Sequence, residues 1–112
     1  MNTLNRHILI VRCRRPYLDW ANTSCGPGPT LDQSSEKYTA YLVDARESDV
    51  DGSKAILDSW AEIFEDELAA WSTDEAAWPK ARTLTMFREW FVVAFTTIVA
   101  DLGRGRIEIE ED

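Results

Sequence analysis

Histidine is almost missing from this 112-residue chain, where His7 stands alone, and cysteine occurs twice, as Cys13 and Cys25. There is no C-x-x-C or H-x-x-x-H pair, so the close ligand spacing of a zinc site is lacking and no metal is expected. Two cysteines do not make a disulfide framework. Nowhere do about 18 apolar residues run together, which excludes a membrane-spanning helix. The apolar run at residues 8–11 is too short for a signal peptide and is followed by Arg12, Arg14 and Arg15. A cytoplasmic, reducing location is therefore expected. Lys and Arg total 12 against 20 Asp and Glu, a formal net charge of −8. A nucleic-acid partner is not expected, because phosphate binding needs a surplus of cations. The glycines of Gly26-Pro-Gly-Pro29 are not followed by a helix, so no phosphate cradle is predicted. No cofactor signature is present.

The remaining composition, 45% hydrophobic and 29% charged, is that of an ordinary folded domain. The length suits a single domain over 1–112. Residues 7–14, HILIVRCR, are apolar and β-branched and read as a strand. Pro16 suits the first turn of a helix, here the brief Tyr17–Ala21. Residues 22–36 are rich in Ser, Thr, Gly and Pro and read as a loop. Residues 37–44 alternate and read as a second strand. Asp51-Gly52 marks a turn, with Ser53 available as an N-cap.

The clearest element spans residues 54–71. Ile56, Leu57, Trp60, Ile63, Phe64, Leu68 and Trp71 recur at helical spacing on one half of the helix, with Asp58, Glu62, Glu65 and Asp66 on the other. Asp74 is placed to cap a short turn that ends at Trp78-Pro79. Thr83–Trp90 reads as a third helix. Residues 91–102 read as a strand with both faces apolar, hence central, covered by a partner, or both. Residues 107–110 alternate Ile and Glu and are expected to return as a hairpin strand before an acidic tail. The order β-α-β-α-α-β, with a further C-terminal strand, predicts an α+β fold: a small single-sheet sandwich with helices packed on the sheet.

Two stretches resemble a family of small uncharacterised bacterial proteins. One is Arg15-Pro-Tyr-Leu-Asp-Trp-Ala-Asn22. The other is Ile63-Phe-Glu-x-Glu-Leu-x-x-Trp71, continuing through Asp74, Trp78-Pro79, Arg82, Phe87, Trp90-Phe91 and Asp101-Leu102. The resemblance covers most of the chain apart from the 22–36 loop and the 107–112 tail. It implies a bacterial cytosolic source and an α+β domain, and it carries no assigned activity. The chain departs from the pattern after Trp90, where Val93, Ala94 and Thr96 stand in place of more polar residues.

Charge is unevenly spread. Residues 44–75 hold eleven acids against Arg46 and Lys54, whereas residues 1–30 hold Arg6, Arg12, Arg14 and Arg15 against Asp19. Glu65, Asp66 and Glu67 crowd the end of the long helix, where the macrodipole disfavours anions by about 0.3–1 kcal/mol each. Lys80 and Arg82 are expected to fold back onto that end. Glu67 falls inside the apolar half. The plainer reading pairs it with Arg82, Arg88 or an N-terminal arginine, or turns it outward. The functional reading is a carboxylate of raised pKa serving as general acid or base, with Asp19 or Asp74 as partner. Arg12, Arg14 and Arg15 would then hold an anionic substrate.

Five tryptophans is a high number for this length. Trp60 reads as core. Trp20, Trp71, Trp78 and Trp90 sit near element ends, either packing the rim of a small core or forming, with Arg82, an aromatic binding surface. Three functions follow. The leading one is a non-catalytic interaction module that binds a protein partner or forms a homodimer. The others are a small enzyme using Glu67 and an acidic inhibitor that imitates nucleic acid.

Overall fold

The β-branched run near the N-terminus becomes the middle of the sheet. In a computed structural model, which describes residues 2–24 and 38–111, β1 is Asn2–Thr3 and β2 is Arg6–Cys13. Helix α1 spans Arg15–Ser24, β3 spans Tyr38–Asp44 and α2 spans Ser53–Trp71. A 3-10 turn at Glu75–Ala77 leads to α3, Leu84–Trp90, then β4, Phe91–Thr96, and β5, Ala100–Asp101. β2 lies between β3 and β4, and both pairings are antiparallel. β1 and β5 form a separate two-stranded ribbon. The fold is α+β with helices on a sheet, as the element order predicts. Cys25 and most of the 22–36 loop lie outside the described residues, and α1 runs through residues 22–24 where the loop was expected to begin.

Each element has a local cause. Pro16 lies in the first turn of α1, whose hydrogen bonds start at Tyr17 and Leu18, so its missing N–H is not needed. Tyr17, Leu18, Trp20 and Ala21 form the buried stripe of that helix. In α2 the buried positions Ala55, Ile56, Ile63, Phe64, Glu67 and Leu68 follow the 3.6-residue period. Leu57 departs from the expected stripe and is 61% exposed, and Trp60 only packs against the margin of the core.

Ser53 is not the cap of α2. Gly52 holds that position at φ 84°, and the buried Asp49 carboxylate accepts from the N–H groups of Lys54 and Ala55 at 3.3 and 3.0 Å. A buried acid thus satisfies free donors at the positive end of the helix dipole. Asp51 accepts from the Ser53 N–H at 2.9 Å, and its hydrogen bonds with Ser53 hold its carboxyl below the usual range. Asp74 does cap the 3-10 turn, accepting from Ala76 at 3.1 Å, and Thr83 caps α3 through Met86.

The last strand is shorter than expected and is not central. β4 ends at Thr96 and forms one edge of the sheet, so β2 is the strand with neighbours on both sides. Ile98, within the 91–102 stretch read as that strand, lies beyond it at 75% exposure. Residues 107–110 form no strand; the extra C-terminal strand is β5, paired with β1.

One face of the sheet carries the core. Leu9 and Val11 of β2 are buried, and Tyr41, Val43, Val93 and Phe95 pack beside them against the helices. Strand alternation places Ile8, Ile10, Tyr38, Ala40, Leu42, Val92 and Ala94 on the opposite face. No described helix or strand covers that face.

Candidate functional site

The sequence directs attention to Glu67, and its surroundings are defined by β3 and the end of α2. Glu67 is buried at 8% exposure. It is neither turned outward nor paired with an arginine. The Tyr41 hydroxyl lies 2.9 Å from Glu67 Oε1 and 2.7 Å from Asp66 Oδ2. Burial raises the Glu67 pKa above the ordinary carboxylate range, and the neighbouring Asp66 charge adds to it. The hydrogen bonds from Tyr41 and Thr39 pull the other way and offset only part of that rise. Burial and the two carboxylates also push the Tyr41 hydroxyl far above its usual value, so it remains a neutral donor. Tyr17 on α1 donates to the Glu67 carbonyl oxygen at 2.7 Å, fastening the same residue from the other side.

Tyr41 has one proton and two carboxylates within reach. The Tyr41 hydroxyl is the donor toward both Glu67 Oε1 and Asp66 Oδ2, and protonation of Glu67, which its burial favours, would relieve the competition for that one donor. The folded chain then binds this proton at pH values where the unfolded chain has lost it, so stability falls as pH rises through the raised Glu67 pKa. Glu67→Gln removes the titration and keeps an N–H donor for Tyr41. The variant is expected to unfold at higher urea than the parent at pH 8, with the difference shrinking toward pH 4. An equal difference at both pH values would show that Glu67 does not hold its proton.

The chemistry available here is limited. Tyr41 and Asp66, with Leu42, Val43, Ser59, Glu62 and Ile63, line a shallow cavity of about 230 Å³, but Glu67 does not line it. Asp19 is exposed on α1 and pairs with Arg15 at 3.2 Å. Asp74 is occupied as a cap. Neither hydrogen-bonds Glu67 or lines the cavity, so the structure does not assemble the expected carboxylate pair. Its actual partner, Tyr41, was missed. The alternation of Thr39, Tyr41 and Val43 was the available signal, because it puts all three on the helix-facing side.

The fold-back onto the helix end is made by Arg82. It bridges to Glu65 at 3.0 Å, donates to the Pro79 carbonyl oxygen at 2.7 Å and lies 5.8 Å from the centre of the Trp78 ring. Lys80 instead donates to the Glu75 carbonyl oxygen. Arg46 pairs with Asp58 farther up α2.

Three of the tryptophans act as crosslinks. Each donates its indole N–H at 2.9 Å: Trp20 to Ala77, Trp71 to Ala21 and Trp78 to Ser72. Trp20 and Trp78 are buried, so they form no exposed aromatic surface. Trp90 is half-buried against Trp20, Tyr17 and Phe64. This cluster ties α1 to the end of α2, to the 3-10 turn and to α3.

Arg12, Arg14 and Arg15 do come together. With Cys13 and Val92 they line an open depression of about 390 Å³ at one end of the outer sheet face. That face is not accounted for by the core. Tyr38 and Leu42 are 65% and 57% exposed on it, beside Ile8 and Ile10. It is read from β2 and β3 as much as from residues 91–100, where the sequence had placed it. No helix among the described residues is long and apolar enough to cross a membrane. Comparison with protein-family models, curated proteins and solved structures finds no match for the chain.

Proposed function

We propose that this chain is a non-catalytic protein-interaction module that docks through the outer face of its three-stranded sheet. The supporting observation is the row of apolar side chains Ile8, Ile10, Ala40, Leu42, Val92 and Ala94 on a face no described element covers. An apolar patch bordered by charge, here Arg12 at one end and Arg6 opposite Asp44 at the other, is what binding surfaces present. The acid–base alternative has less support, because Glu67 is buried beside Tyr41 and is not among the residues that line the cavity. The nucleic-acid mimic needs an unbroken row of carboxylates, and Arg46 and Arg82 interrupt it at Asp58 and Glu65.

The test compares the parent chain with Ile10→Lys and Leu42→Lys by light scattering across a range of concentrations, and by capture of partners from a lysate. Both substitutions are expected to leave circular dichroism unchanged and to abolish association. Association or capture that is the same in parent and variants would overturn the reading.

A further inference from the structure

We propose that the partner on the sheet face is a second copy of this chain, and that the two copies exchange C-terminal tails, residues 107–111 of each lying against the arginine-lined depression of the other. This rests on the sheet-face reading above. The first argument is area. Three strands at ~4.8 Å spacing and about seven residues at ~3.4 Å give a footprint of roughly 350 Å². A stable interface takes about 800 Å² per partner. The face alone falls short, and a dimer built on it needs a further element.

The tail has the required character. Ile107 and Ile109 are 65% and 88% exposed. Residues 107–111 alternate Ile and Glu before a further Glu, with exposed side chains and no hydrogen bond or ion pair among the described residues. Alternation of this kind suits addition to a sheet edge, and β4 has a strand neighbour on one side only. In that position the isoleucines face one way and Glu108 and Glu110 the other. The charge is complementary, with Glu108, Glu110 and Glu111 set against Arg14 and Arg15, both exposed, of which Arg15 already pairs with Asp19.

Symmetry joins the two arguments. The tail follows β5, which pairs with β1 just before the Arg6 end of β2, whereas the arginines lie at its Cys13 end. Within one copy the tail therefore leaves from the end opposite the depression. A two-fold axis between two stacked faces and across the strands reverses strand direction. It lays each Arg6 end over the partner's Cys13 end. The same operation that covers the outer faces brings each tail to the other copy's arginines.

The experiment is light scattering of the full chain over a range of concentration and salt, with two charge-reversed variants. Arg14→Glu with Arg15→Glu, and Glu108→Arg with Glu110→Arg, are each expected to weaken the dimer about tenfold. Mixing the two variants is expected to restore a heterodimer, since each tail then meets the opposite charge. A dimer indifferent to salt and to both variants, yet lost in Leu42→Lys, overturns the tail exchange and leaves the sheet-face reading standing. A parent chain that stays monomeric at every concentration overturns the second copy as partner. The lysate comparison above then decides the sheet face separately. A monomer whose own arginine-end amide resonances shift on tail substitution also overturns the exchange, in favour of intramolecular docking.

Discussion

Phe64→Ala is expected to destabilise the fold by about 3–5 kcal/mol, toward the upper end for a buried aromatic truncation. Phe64 is fully buried, and its ring centre lies 5.3 Å from Phe91, 5.5 Å from Trp90 and 6.0 Å from Phe87. The substitution therefore removes three aromatic contacts, each worth roughly 0.5–1.5 kcal/mol beyond area. It also opens a cavity where α2, α3 and β4 meet, with Phe87 and Phe91 already in contact on its far wall at 5.1 Å. At roughly 4 °C per kcal/mol for a domain of this size, the melting temperature should fall by roughly 12–20 °C. Phe64→Leu, which refills most of the volume but keeps none of the ring contacts, should cost less than Phe64→Ala. A loss for Phe64→Ala below about 2 kcal/mol would mean that the three elements can close over the gap, and that Phe64 is not the hub of the core.

Gly52→Ala ranks second, at about 2–4 kcal/mol, for one methyl group. Two costs combine. The residue holds φ 84°, where a side chain is strained by roughly 1–3 kcal/mol. A Cβ built there would also stand 2.7 Å from Cγ of Phe95, so the ring or the turn must shift. Gly52→Ala together with Phe95→Ala separates the two. Removal of the ring should recover only part of the steric cost, because the Phe95 Cβ would still stand 2.8 Å from the new methyl; the double variant should fall short of the sum of the singles by that part. Strict additivity in urea unfolding would show that the ring contact is not limiting.

Much of this architecture is legible in the sequence. The period-3.6 stripe of α2, the Pro16 start of α1 and the Asp74 cap depend on neighbours a few residues away, and such signals are local. The place of Glu67 inside the apolar half was equally legible, because Ile63, Phe64 and Leu68 define the face on which it falls; whether it was buried there or turned outward was not. Its partner was not. Tyr41 lies 26 positions away, and nothing in the helix says which strand packs there. Which strand is central was open for a similar reason: residues 8–11 and 91–95 are both apolar on two faces, and composition cannot rank them; the sheet order puts β2 in the middle. Asp49 was hidden by Ser53, the better local cap, until the turn at Gly52 carried its carboxylate back to the helix end. Arg12, Arg14 and Arg15 were legible as cations for an anionic substrate, but not as the lining of one depression. Its closeness to Val92 comes from the register that sets Arg12 opposite Val92.

The register of β2 also bears on how the chain is made. Cys13 pairs with Phe91, so the middle strand leaves the ribosome long before its second neighbour exists. At about 5–20 residues per second, the intervening ~80 residues take roughly 4–16 s to synthesise. Leu9 and Val11 have only α1 for shelter until β3 and then α2 are made, and the edge later taken by β4 stays open throughout. Pairings this distant in sequence slow folding. During that interval the nascent sheet is a template for any extended segment nearby, and Arg12, Arg14 and Arg15 at its end provide charge repulsion against pairing with another nascent copy.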